Sequence, residues 1–171
     1  GSMKQRIIVR GPALSRSGYG EQCRFALRAL RANEDKFDVY LMNTGWGQTG
    51  WLHEDTEERA WIDELIFKTI KEIQNPKAPF DVSLQVTIPN EWNMLARKNI
   101  AYTAGVETDT VPVSWKEPVN AVDKVIVTSD HTRQSFLNSG AGTEEKFEVV
   151  SYPARFHDES NIELNLNQNY N

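Results

Sequence analysis

The chain has 171 residues, a formal net charge of −5 and a single cysteine, Cys23. This length suffices for one domain with a real core, and the acidic balance argues against nucleic acid or an anionic membrane as a bulk electrostatic partner. No apolar run approaches the roughly 18 residues of a membrane span, no signal peptide follows Met3, and a lone thiol without an internal partner fits the reducing cytoplasm.

Gly1 and Ser2 read as a cloning remnant ahead of the initiator Met3. "QRIIV", residues 5–9, predicts a short buried strand. Tyr19, Cys23, Ala26, Leu27 and Leu30 recur at helical spacing and predict a first helix ending near Asn33. Residues 37–42, "FDVYLM", predict strand two, and a Gly- and Trp-rich loop follows. From about Asp55, "TEERAWIDELIFKTIKEIQ" predicts a second helix whose acidic first turn suits the positive end of the helix dipole. Trp61, Leu65 with Ile66, and Ile70 with Ile73 form its expected apolar stripe. Strand three is predicted over 79–86, a turn with one helical turn in "IPNEWNML", and strand four over 99–105. "VSWKEPVNAV" predicts a short helix broken near Pro118, and residues 123–129 predict strand five. Ser129 caps a helix that closes at Gly140, and strand six over 146–152 is ended by Pro153.

Strands alternating with helices predict a mostly parallel sheet with right-handed crossovers. The expected fold is a single doubly wound, Rossmann-like α/β domain over residues 3–157, with helices on both faces of the sheet. Ligands of such sheets sit at the carboxyl ends of the strands, where strand order reverses. That rule selects the loops 11–20, 43–55, 88–93 and 105–114. Residues 158–171 are polar, with five asparagines after residue 160, and read as a linker toward a further domain.

The first loop, "GPALSRSGYGEQ", carries two glycines spaced G-x-G ahead of a helix. A dinucleotide fingerprint needs a third glycine where Cys23 stands and an acid where strand two ends in Asn43, so that site is excluded. No G-K-[ST] follows, which excludes the nucleotide-triphosphate loop as well. Gly18 and Gly20 still permit close backbone approach to a phosphate at a helix start. Turn geometry alone accounts for them equally well.

The order "SGYGEQCRFALRAL", "NIAYTAGVETDTVPVSW", "DKVIVTSDHTRQSFLNSG" and "FEVVSYPARF" resembles the N-terminal domain of GT-B-fold glycosyltransferases of the glycosyl transferases group 1 type. The likeness covers about residues 5–157; "VVSYPARFHD" keeps the proline of the family's hinge and lacks its Asn-Gly. What the resemblance implies is an acceptor-side half-enzyme whose C-terminal donor-binding domain lies beyond this chain. The full enzyme would move a sugar from a nucleotide-sugar donor to a hydroxyl on a glycan, lipid or small molecule. No metal or other cofactor is implied, because the helix dipole and basic side chains serve the diphosphate in that fold. A lone half would be free to form a homodimer through the face meant for its missing domain. The alternative is a stand-alone module that binds a nucleotide or glycan and works with a separate donor-binding chain.

On the same resemblance Gly18, Tyr19 and Gly20 face the donor phosphate or sugar, although Tyr19 also starts the apolar stripe of the first helix. Glu107 stands where the family often has His, and its carboxylate could orient or deprotonate an acceptor hydroxyl; a loop acid paired with Arg or Lys is the plainer reading. Thr108 and Asp109 share its loop. Arg16 and Ser17 could touch acceptor or phosphate. Trp46 and Trp51 could stack on a sugar and His53 could bond a hydroxyl, or the tryptophans pin a glycine-rich loop. Trp92, Trp115 and Cys23 read as packing residues, and His131 as an exposed first-turn residue. The three histidines have no metal-ligand spacing.

Overall fold

The computed structural model of the chain describes residues 4–45, 56–106 and 108–150. In chain order they form β1 (Gln5–Gly11), α1 (Gly18–Arg31), β2 (Phe37–Asn43), α2 (Glu57–Gln74), β3 (Phe80–Val86), β4 (Ala96–Tyr102), α3 (Lys116–Ala121), β5 (Lys124–Val127), α4 (Asp130–Asn138) and β6 (Phe147–Val149). Every ladder is parallel, and the six strands lie in the order β2-β1-β3-β4-β5-β6. The chain steps outward from β1 to β2, returns past β1 to β3, and then advances away from it. Strand order therefore reverses between β1 and β3. This is the doubly wound Rossmann-like α/β sheet that the alternation of strands and helices predicts.

Both faces of the sheet are buried, as a parallel sheet requires. Register aligns Ile7 with Val39 and Val82, and Val9 with Leu41 and Leu84. These residues share one core with Cys23, Leu27 and Leu30 of α1. The alternate residues Ala101, Val125 and Val127 join Val119 of α3 and Phe136 of α4 in a second core. Phe136 is fully buried, stacks on Trp115 at 5.8 Å and lies 5.3 Å from Phe147. Burying each such side chain contributes roughly 1.5–3 kcal/mol.

Strand four begins and ends three residues earlier than its apolar run, 99–105, implies. Among the described residues, the β3–β4 crossover alone carries no α-helix, only a 3₁₀ turn at Pro89–Glu91. Its backbone covers the sheet and is matched by buried polar side chains. Asn99 Oδ1 accepts from Ser83 Oγ at 2.7 Å, from the Leu95 N–H at 2.9 Å and from the Ala96 N–H at 3.1 Å. Gln85 Nε2 donates to the Asn93 carbonyl at 2.5 Å, and its Oε1 accepts the Asn93 N–H at 2.8 Å. Those bonds draw 96–98 into the ladder.

The expected stripe of α2 is also corrected. Its buried residues are Ile62, Leu65, Thr69 and Glu72, whereas Ile70 and Ile73 are each 49% exposed. The physical reason is the sheet edge. Thr69 Oγ1 accepts the Leu41 N–H at 2.7 Å, and Lys68 Nζ donates to the Val39 carbonyl at 2.9 Å. The inner face of α2 thus meets edge backbone groups of β2 as well as core, and part of it must be polar. Glu72 pairs with Arg6, whose guanidinium lies 5.1 Å from the centroids of both the Tyr40 and Phe80 rings.

Pro118 does not break its helix. It is the third residue of α3, where a missing N–H leaves no intrahelical bond unmade. Ser129 Oγ caps α4 by accepting the Thr132 N–H at 3.1 Å, and Gly140 takes the left-handed conformation (φ +72°) after the helix, as expected. Pro153 and residues 158–171 lie outside the described residues.

Candidate functional site

The glycine turn is built as a rigid brace. Ser17 is the N-cap of α1, and its Oγ accepts the Gly20 N–H at 3.1 Å. Ser15 Oγ donates to Ser17 Oγ at 3.0 Å and accepts the Ser17 N–H at 3.0 Å. Arg24 Nη1 ties down the carbonyls of Ala13 and Ser15 at 2.8 and 2.6 Å. Gly20 is buried, and a Cβ there would lie 2.2 Å from the Ser15 carbonyl oxygen. Its N–H is committed to the cap, so packing explains this glycine. Gly18 is the opposite case: it is exposed, and a Cβ there would meet nothing within 4 Å. The open approach to the helix start is over Gly18. Arg16 is exposed beside it, while the hydroxyl of Ser17 serves the cap.

Tyr19 reaches across the sheet. Its hydroxyl lies 3.3 Å from Thr103 Oγ1 and accepts the Ala104 N–H at 3.1 Å. Its ring also packs against the α1 core. The glycine turn and the end of β4 therefore meet at one rim. Beyond β4 the chain is held along α4 by side chains at helical spacing. Thr132 Oγ1 accepts the Val106 N–H at 3.2 Å, Ser135 Oγ donates to the Thr108 carbonyl at 2.6 Å, and Asn138 Nδ2 donates to the Asp109 carbonyl at 3.0 Å. Ser139 Oγ accepts the Val111 N–H at 2.8 Å. This polar stripe, missed in the sequence reading, is visible there as Thr132, Ser135 and Ser139 at spacings of three and four. The side chains of Thr108 and Asp109 are left exposed.

Glu107, Trp46, Trp51 and His53 lie outside the described residues. Cys23 is fully buried, and burial pushes its thiol up to about 12, which leaves an inert core residue. Trp92 is buried and donates its ring N–H to the Thr87 carbonyl at 3.0 Å; His131 is exposed. Among the described residues no group of His, Cys, Asp and Glu could hold a metal ion, and no helix is long and apolar enough to cross a membrane.

Fold and rim together define a doubly wound Rossmann-like domain whose polar groups gather where the strands end. Comparison with known proteins finds no matching family model, no matching curated protein and no matching solved structure.

Proposed function

We propose that the chain is the N-terminal, acceptor-side half of a GT-B-fold glycosyltransferase, whose donor-binding domain is a separate unit beyond it. The Tyr19 hydroxyl carries this reading. It joins "SGYG" to "TAG", two motifs that resemble the family's cleft and stand 85 residues apart in the chain between Tyr19 and Ala104. Open space over Gly18 and the positive end of α1 suit a donor diphosphate. Val106 and Thr108, which flank Glu107 in sequence, are both anchored to α4. The role assigned to Glu107 is to orient the acceptor hydroxyl and accept its proton. Transfer is expected to need no metal and to take place in the cytoplasm.

The test is a transfer assay with a panel of nucleotide sugars. The isolated chain is expected to show no turnover. Joined to the domain encoded by a reading frame that continues past Asn171, it is expected to transfer sugar in the presence of a chelator. Glu107→Gln should lower that rate by roughly a hundredfold or more. Turnover by the chain alone overturns the half-enzyme reading. A continuation that binds no nucleotide sugar overturns the glycosyltransferase reading itself.

A further inference from the structure

The isoleucines that periodicity expects inside α2, Ile70 and Ile73, lie on its outer face. With Phe67 they form a row at positions i, i+3 and i+6; Phe67 is 61% exposed and each isoleucine 49%. Side chains three apart on a helix are neighbours, so the three make one continuous strip. Half-buried Ile66 adjoins it one turn back from Ile70. Five large apolar side chains are exposed among the described residues, and this one helix carries three of them. A single exposed apolar residue needs no explanation, but a strip of three on one helix face does. The inner face of α2 is already engaged, through Ile62, Leu65, Thr69 and Glu72.

Charge is divided along the same face. Asp63 and Glu64 stand ahead of the strip, and Lys71 and Lys77 stand toward its carboxyl end, all of them exposed. Lys71 Nζ lies 4.5 Å from the centroid of the Phe67 ring, so the cation adjoins the apolar strip. Arg59 Nε bonds one oxygen of Asp63 at 3.1 Å, while Glu64, Lys71 and Lys77 form no ion pair among the described residues. A helix face with an acidic end and a basic end repels a parallel copy of itself and attracts an antiparallel one. The apolar strip has the same property. It is centred on Ile70, with a large side chain three residues to either side.

We propose that the outer face of α2 is a self-association surface, on which a second copy of this chain packs its own α2 antiparallel about a two-fold axis at Ile70. The axis sets Ile70 on Ile70 of the second copy, and Phe67 against Ile73 of the second copy, twice over. The same operation brings the acidic end of each helix beside the basic end of the other. Such an isologous contact closes as a dimer and does not propagate. Glu72 pairs with Arg6, the second residue of β1, so the strip lies toward the amino ends of the strands. The rim around the glycine turn is at their carboxyl ends and stays open. A homodimer through the face meant for a missing domain would use that rim instead. The proposal therefore goes beyond the glycosyltransferase reading and does not depend on it.

Sedimentation velocity of the 171-residue chain tests it. A dimer at roughly 100 μM that dissociates by about 1 μM is expected, because a single helix pair is a small interface. Ile70→Glu sets two carboxylates on the axis and should leave a folded monomer at both concentrations. Val113→Glu, at an exposed apolar residue away from α2, should leave the dimer intact. Ile70→Cys should give a covalent dimer on mild oxidation, since the axis places that position opposite itself; the native Cys23 is buried and takes no part. Asp63→Lys with Glu64→Lys makes the face basic, and Lys71→Glu with Lys77→Glu makes it acidic. Each of these two variants alone should be monomeric, and their mixture should form a heterodimer. The proposal is overturned by a monomer at the higher concentration, or by a dimer that survives Ile70→Glu, as a contact through the rim would. It is equally overturned if the two charge variants stay monomeric when mixed. Should Ile70→Glu fail to fold, the cross-linking and mixing experiments decide.

Discussion

Gly18 and Gly20 look equivalent in the motif and differ in what surrounds them. A methyl group on Gly20 would strike the backbone oxygens of Ser15 and Pro12, at 2.2 and 2.8 Å, and backbone cannot swing aside as a side chain can. Gly20→Ala is expected to cost about 3 kcal/mol of stability through overpacking. Gly18→Ala enters open space at a helix start and should be neutral or stabilising by up to about 1 kcal/mol. Urea unfolding of the two variants separates them; equal midpoints would show that the turn is not packed as described. Cys23 sharpens the same point. With its thiol pushed up to about 12 by burial, it should react with a chromogenic thiol reagent at neutral pH only as the chain unfolds.

At the scale of the element, α2 shows how a sheet edge rewrites a helix. Thr69 and Glu72 hold inward positions that periodicity alone would give to apolar residues, because the Leu41 N–H and Arg6 lie opposite. Thr69→Val leaves the Leu41 N–H without its acceptor and should destabilise by about 1–3 kcal/mol, measured by chemical denaturation. Glu72 supplies a pH signature. The hydrogen bond from Arg6, helped by the Lys77 N–H, holds its carboxyl below the usual carboxylate range. Its unfolded counterpart titrates near about 4.3, so the stabilisation is present above that pH and is lost as pH falls through the lower folded value. Glu72→Gln should therefore flatten the acid limb of the stability curve. An unaltered dependence below about pH 4.3 would contradict the pairing.

At the scale of the whole molecule, one sheet carries two cores, one under α1 and one under α3 and α4. β4 and β5 contribute to both, through Ile100 and Ile126 on one side and Ala101 and Val125 on the other. Such shared strands couple the two sides, so thermal unfolding is expected to be a single transition. Phe136→Ala, which empties the centre of the second core, should cost about 3–5 kcal/mol. It should shift the near- and far-ultraviolet circular dichroism transitions together. Transitions that separate would show two independently unfolding halves.

The sequence by itself determined which segments are strands and helices, where Ser129 caps and Gly140 stops a helix, and that the sheet is parallel. These follow from local periodicity and local capping chemistry, which neighbouring residues settle among themselves. It also argued against a dinucleotide fingerprint in the loop 11–20, because Cys23 and Asn43 stand where that motif has a glycine and an acid. Only the tertiary structure decided which way α2 faces, where β4 starts, and that Gly20 is spent on packing while Gly18 is open. Each of those depends on a partner far away in the chain: the β2 edge, the crossover after β3, the loop before α1. The meeting of Tyr19 with Thr103, and of Arg10 with the Glu91 carbonyl, is of the same kind. Strand order and register bring those groups together, and neither is written in any local pattern.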